Sequence, residues 1–262
     1  MSFPRTILTL AFILVGLAGS SLGLAQAPAA EGKVKIEWLG HEFYRLTSPK
    51  GVVIVTSPWL ANPDGPVALD DLARTDFILV PNAHTDDMGN PNEIAAKSGA
   101  TVLAPAPLGR WLISNGLKQE QFRRAGIGDQ FVLKGITFKI APSAHDNTLA
   151  NGADGGPAAA FFITFENGFT VFYNGHSTMI ADLALYASVY QPHLAILGLA
   201  QDPPEFAQVA RLMTTGNPKL RTVIPSHARP GAPILSDGKK ELDRLGIGGL
   251  MFVPELKKVY EY

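Results

Sequence analysis

The stretch "FILVPNAHTDDMGN", residues 77–90, decides how this chain is read. Four apolar residues, Phe77 to Val80, read as a strand buried on both faces. Pro81 ends the run, since proline has no N–H to offer a ladder. His84, Asp86 and Asp87 follow within six residues, among small and polar neighbours. Imidazole and carboxylate groups just past a buried strand are the donor types that hold divalent cations. The next segment, "PNEIAAKSGA", reads as a helix that Pro91 opens and Gly99 closes.

The same context recurs along the chain. His145 follows "TFKIAP", His176 follows "TVFYNG" and His227 stands just after "TVIP". Each is an apolar strand run ending in small or turn-forming residues. Strand ends of a layered fold converge at one edge, so His84, His145, His176 and His227 are expected to share a pocket with Asp86 and Asp87. The other two histidines stand differently. His41 follows "WLG", and His193 precedes the run "LAILGL" beside Pro192. His193 is expected to be structural or exposed.

Between these points the pattern is mostly strands first, then β-α units. "VKIEWL", "FYRLTS" and "VVIVTS" read as strands separated by Gly40-His41 and Pro49-Lys50-Gly51. Lys134-Gly135 and Asn167-Gly168 mark hairpin turns. Helices are expected over "LGRWLISNGL", "MIADLALYASVY", "PEFAQVARLMTT" and "GKKELDRLG". "NTLANGADGGPAA", residues 147–159, is a loop of the kind that lies over a site. This is the pattern of an α/β fold in which two sheets pack together with helices outside.

Composition narrows the chemistry. The chain has 262 residues, long enough for one large core, and a net charge of -1. No Lys/Arg cluster marks a nucleic-acid partner, so a small-molecule substrate is the expected one. There is no cysteine, which excludes disulfides and thiolate ligands. Any metal must be held by His, Asp, Glu or Asn, a set that suits zinc, manganese or iron. At the N-terminus, Arg5 precedes an apolar run from Ile7 to Leu17, followed by small residues. This is the layout of a secretory signal peptide, with cleavage after Ala25 preferred over Ala27, which Pro28 follows. An uncleaved anchor is the alternative, but the run is short against the ~20 residues of a membrane span. The expected organisation is a leader over residues 1–25 and one domain over 26–262, exported to a bacterial periplasm without stable membrane insertion after processing. No oligomeric state is readable.

Taken in order, the motifs resemble the metallo-β-lactamase superfamily. They are similar above all to its branch containing the L-ascorbate-6-phosphate lactonase and related metal-dependent hydrolases. The resemblance rests on "IEWLGHEFYRL", "DFILVPNAHTDDMGNPNEIAAKSGATVLA", "APSAH", "FITFENGFTVFYNGHST", "PHLAILGLA" and "VIPSH". It implies a four-layered αββα sandwich with one or two metals at its edge, zinc foremost. The family's His-x-His-x-Asp-His loop falls on Asn82, His84, Asp86 and Asp87. Its next His falls on His145, its bridging Asp on His176 and its last His on His227. Ser57-Pro58 stands where the family often has Asp-Pro.

The substitutions have chemical consequences. A carboxylate can bind two cations at once, whereas a neutral imidazole has one free lone pair. His176 therefore speaks against the usual two-metal arrangement. One position is expected from His84 and His145, with His176 as a third donor, and another from Asp86, Asp87 and His227. Asn82 is a further candidate as a weak ligand, and His41 either holds a ligand by a hydrogen bond or is a satisfied structural histidine. The implied set and the observed one both carry two Asp, with one moved from position 176 to 87. That points to a remodelled site more than a relic. The alternative is that Asp87 caps the nearby helix while Asn82 and His176 satisfy backbone groups. The expected activity is hydrolysis of an ester, lactone or phosphoester through metal-activated water, with Asp86 as the catalytic residue that orients the water or takes its proton. A non-catalytic protein that binds a ligand or partner in the same cleft is the alternative of another class. Redox chemistry with iron is a third.

Overall fold

A computed structural model of the protein describes residues 31–200 and 202–262. The expected leader, residues 1–25, lies outside the described residues. Among the described residues, no helix is long and apolar enough to cross a membrane.

Two sheets form the centre. The first contains β1 (Lys35–Gly40), β2 (Phe43–Thr47), β3 (Val53–Thr56), β4 (Phe77–Leu79), β5 (Thr101–Ala104), β6 (Phe122–Arg124) and β13 (Val259–Glu261), in the order β13-β1-β2-β3-β4-β5-β6. The second contains β7 (Gln130–Leu133), β8 (Ile136–Pro142), β9 (Ala159–Thr164), β10 (Thr170–Tyr173), β11 (Leu194–Gly198) and β12 (Thr222–Ser226), in the order β12-β11-β10-β9-β8-β7. Each sheet is antiparallel on one side and parallel on the other. In the first, β1, β2 and β3 form a meander and β3 to β6 run parallel. In the second, β7 to β10 are antiparallel and β10, β11 and β12 parallel.

Alternation of side chains across the strands builds the layers. Trp38, Leu46, Ile54, Phe138, Phe161, Ile163, Tyr173 and Ile196 point inward and form one cluster between the sheets. The opposite faces are apolar too, as strands covered on both sides must be. On the first sheet Val55, Ile78 and Val102 meet α2 (Pro91–Ser98) and α3 (Ala106–Ser114) through Ile94, Ala95, Leu108 and Leu112. On the second, Phe162, Phe172 and Leu197 meet α4 (Asp182–Tyr190), α5 (Pro203–Thr214) and α6 (Pro233–Arg244) through Leu183, Phe206, Ala210 and Leu242. The result is the expected αββα sandwich.

The differences from the sequence reading are local. α6 begins at Pro233, five residues before the expected helix, because proline at the first helical position suits both its fixed φ and its missing N–H. β13 was not expected: three residues with little apolar alternation pair with β1 and complete the first sheet. A further short helix, α1 (Thr85–Met88), stands inside the polar loop after β4.

One close approach ties the sheets together at the edge that matters. Gly175, just past β10, has φ +55°, and a Cβ there would lie 2.3 Å from the Pro81 Cβ and 2.7 Å from the Ala159 carbonyl oxygen. Only glycine lets the ends of β4, β9 and β10 meet so closely.

Candidate metal centre

Every expected site residue stands at the edge where β4, β8, β10 and β12 end and where β1 turns into β2. His84 and the α1 residues Asp86 and Asp87 follow β4, His145 follows β8, His176 follows β10 and His227 follows β12. His41 lies in the β1–β2 turn, where the Trp38 indole Nε1 donates to its carbonyl oxygen at 3.0 Å. Three of these histidines, His41, His176 and His227, have positive φ (55°, 64° and 55°). Left-handed backbone is uncommon for residues with a Cβ and costs energy that the surrounding structure must supply. The turn at His176 is held by Asn174, whose Oδ1 accepts from the His176 N–H (3.2 Å) and from the Gly198 N–H (3.0 Å). A Cβ on Gly198 would come within 2.8 Å of the His176 ring, so this glycine makes room for the imidazole.

The rings form a chain across the edge. Ring centroids lie 4.9 Å apart for His84 and His145, 4.5 Å for His145 and His176, 3.9 Å for His176 and His227, and 4.1 Å for His227 and His41. Two carboxylates face them. Asp86 Oδ2 is 3.3 Å from His227 Nε2 and 3.6 Å from His41 Nε2. Asp87 Oδ2 is 3.8 Å from His145 Nε2 and 4.0 Å from His176 Nδ1. Ligand atoms gather within 4.8 Å of one another in three groups: His41, Asp86, Asp87 and His227; His84, Asp87 and His145; and Glu42, Asp87 and His176.

These groups revise the expected division of ligands. Asp87 belongs to all three and not to one position only. It does not act as a helix cap: the side chain is buried, and its Oδ1 has no hydrogen-bond partner. His176 joins Asp87 and Glu42, not the pair His84 and His145. His41 is neither structural nor merely a support, since its ring lies between His227 and Trp59, faces Asp86 and belongs to a ligand group. Asn82 is not aimed as a ligand. Its Nδ2 donates to Asp87 Oδ2 (3.0 Å), and its Oδ1 accepts from the His84 N–H (3.0 Å), so the amide positions both neighbours. His193 lies away from the edge, where its Nδ1 accepts from the Thr170 N–H (3.1 Å) and its ring stacks on Phe169.

Two participants were missed. Glu42, next to His41, is completely buried, and its Oε2 accepts from the Tyr173 hydroxyl at 2.8 Å while its Oε1 accepts from the Ser226 hydroxyl at 3.3 Å. A lone acid between Gly-His and the apolar "FY" was the available signal. Asp146 is exposed, with Oδ2 3.4 Å from His84 Nε2, at the start of the glycine-rich loop. That loop is pinned beside the site by Asn147, whose Oδ1 accepts from the Ala83 N–H at 2.6 Å.

Protonation follows burial and neighbours. Burial pushes His41 down to about 4 and His176 down to about 3, in each case helped by His227 nearby. His145 is lowered by burial and by His84. These imidazoles are neutral at pH 7, the state in which they ligate. Asp86 is held well below the carboxylate range by its hydrogen bond to His227 and that ring's charge. Burial raises Glu42 to about 7 and, with the adjacent Glu42 carboxyl, lifts Asp87 well above its ordinary value.

The residues fit a divalent cation. His41 Nδ1, His145 Nε2, His176 Nδ1 and Asp87 Oδ1 are buried polar atoms without a hydrogen-bond partner. Native proteins rarely leave such atoms unpaired, and four at one strand edge are the donors a cation satisfies.

Residues 49–230 match the family described as the beta-lactamase superfamily domain. The chain belongs to this superfamily. Curated relatives narrow the membership to its UPF0173 metal-dependent hydrolases. One from Myxococcus xanthus is 30% identical over 212 residues, covering 78% of this chain and 73% of the relative. One from Cupriavidus taiwanensis is 31% identical over 221 residues, covering 78% and 77%. Among solved structures, Igni18, a metallo hydrolase from Ignicoccus hospitalis, superposes with a TM-score of 0.74 at 22% identity, over 88% of this chain and 98% of that one. That likeness carries the fold. Against the ligand pattern expected for the superfamily, the geometry relocates one function: with His at position 176, the carboxylate that reaches several ligand groups is Asp87 on α1.

Proposed function

We propose that the protein is a metal-dependent hydrolase of small-molecule esters, lactones or phosphoesters, exported by the leader at its N-terminus. The observation that carries the reading is the gathering of histidine and carboxylate donors into three groups that share Asp87, among them His41 Nδ1, His145 Nε2, His176 Nδ1 and Asp87 Oδ1, all buried and unpartnered. Asp87 would hold an outer cation with either His84 and His145 or His41, Asp86 and His227, zinc first and manganese or iron as alternatives. A divalent cation bound there supplies Lewis acidity, acidifying water and polarising the substrate oxygen.

The chain's own residues supply the rest. A cleft of about 380 Å³ opens beside the cluster, lined among others by His41, Trp59, Asp86, His227, Arg229 and Ile234. Its size suits a small molecule. Trp59 and Ile234 give this cleft apolar surface, and Arg229, which is 3.6 Å from Asp64, is the basic residue named in its lining, available to an anionic substituent. Asp86 faces this cleft and is one-third exposed. Its depressed pKa makes it a weak base, so its role is to accept the hydrogen bond that orients the attacking water. His41 and His227 fix its carboxylate from two sides.

The test is elemental analysis of the full chain purified without chelator, beside His84→Ala and His176→Ala. One or two equivalents of metal, reduced in both variants, and ester or phosphoester hydrolysis abolished by chelator are the expected results. A protein that takes up no zinc, manganese or iron overturns the reading in favour of a binding function for the cleft. Export is tested separately, by the N-terminal mass of the protein recovered outside the cytoplasm; an intact residue 1 retained in the cytoplasm overturns it.

A further inference from the structure

We propose that Glu42 is itself a cation ligand, forming with Asp87 and His176 an inner position whose cation shares the Asp87 carboxylate with an outer one. The inference rests on the metal-dependent reading above. It adds a ligand and a second, deeper place to that site.

Burial is the first argument. Glu42 and Asp87 are both completely inaccessible to solvent, and among the described residues neither has a Lys or Arg partner. Buried charges are normally paired or coordinate metals, because removing a carboxylate from water is unfavourable. Two acids side by side without a basic partner answer that requirement if a cation lies between them.

Orientation is the second. Tyr173 and Ser226 donate to the two Glu42 oxygens, and Ser57 Oγ lies 2.6 Å from the same Tyr173 hydroxyl. Such outer hydrogen bonds fix the carboxylates that ligate metals. Asn82 does the same for Asp87 through its Oδ2, which leaves Oδ1 without a partner. His176 Nδ1 is likewise buried and unpartnered, and one ligand atom each from Glu42, Asp87 and His176 fall within 4.8 Å of one another. An imidazole can serve one cation only, whereas a carboxylate can serve two. Asp87 therefore is the residue that joins the inner group to the groups at the mouth. The competing account is a protonated Glu42 that serves only to pack the strand edge.

The experiment measures stoichiometry, not turnover. Full-length protein, Glu42→Gln and Tyr173→Phe are dialysed against zinc and analysed for bound metal. Cobalt(II) absorption then reports coordination, and near-UV circular dichroism reports the fold. Wild type is expected to hold two equivalents. Glu42→Gln, which keeps the shape and most hydrogen bonds, is expected to fold and hold one, with half of the cobalt spectrum lost. Tyr173→Phe keeps the carboxylate but frees it, so the weaker equivalent is expected to bind about tenfold less tightly. A folded Glu42→Gln with two equivalents at unchanged affinity overturns the inference. So does a wild type that holds a single equivalent, while the hydrolase reading survives. A wild type that holds none overturns both. If Glu42→Gln does not fold, Tyr173→Phe decides, and an unchanged second equivalent there overturns the inference.

Discussion

The two ends of the β sandwich reverse the chain by different means. At the end away from the metal-ligand cluster, the β2–β3, β7–β8 and β9–β10 turns run through Gly51, Gly135 and Gly168, all at positive φ, and Lys134 beside Gly135 shares that conformation. A Cβ at Gly51 or Gly168 would meet nothing within 4 Å. These turns meet across the sheets, with the Ser48 hydroxyl donating to Glu166 at 2.9 Å. At the other end, left-handed positions carry His41, His176 and His227. Reversal alone is met mostly by glycine, with Lys134 and Gln191 as exceptions. Reversal that must also aim a ring calls for a side chain in a conformation it disfavours. Of the non-glycine residues at positive φ among those described, His41, Ser57, His176, Ala200 and His227 lie at the ligand edge and Lys134, Gln191 and Lys257 do not, so more of this strain sits where the chemistry is, and the packed sheets behind it hold it in place.

Treating the two ends alike breaks the contrast most strongly. His227→Gly keeps the left-handed backbone and removes the ring, so zinc affinity is expected to fall by about 100-fold or more. The same change is expected to leave the metal-free protein as stable or up to about 1 kcal/mol more stable. Zinc titration and urea unfolding check the two halves, and a loss of metal-free stability would show that the ring is structural.

Closing the approach between the sheets has the next largest effect. Gly175→Ala adds a Cβ 2.3 Å from Pro81, at a positive φ. It is expected to cost about 2–3 kcal/mol and to weaken zinc binding, since β4 and β10 carry the ligands. Urea unfolding with parallel metal analysis measures both.

The pH dependence sharpens the contrast further. Glu42, raised to about 7, and Asp87, raised by burial beside it, hold their protons more tightly in the metal-free fold than ordinary carboxyls do. A cation must displace them, so affinity falls as pH falls below about 7, by about tenfold per pH unit for each proton released. His41 and His176, lowered to about 4 and about 3, are already neutral there and add no dependence until the solution is more acidic. Zinc calorimetry in buffers of different ionisation enthalpy counts the protons, and an affinity flat between pH 5 and 7 would contradict this assignment.

The smallest effect belongs to the glycine end. Gly168→Ala is expected to cost about 1 kcal/mol through its positive φ and to leave zinc binding unchanged. A change in zinc affinity there would mean that strain is not localised as described.

The sequence by itself determined the layers and the edge. Continuous apolar runs such as "FILV" and "LAIL" specify strands covered on both faces, and histidines placed just beyond strand ends specify where donors gather. That is local information: periodicity, turn residues and position along the chain. Which donors meet was decided only by tertiary structure. Asn82, three places from the strand end, could be a ligand or a support on sequence grounds; its hydrogen bonds to Asp87 and His84 make it a support. His41 and Glu42 belong to a turn far from the main loop in sequence, and they reach the site because β1–β2 ends at the same edge as β12 and β10. The signal at Glu42 was weak for a further reason. A single acid beside a turn reads as exposed until the second sheet covers it, and burial is a property of the packed sheets, not of any one strand.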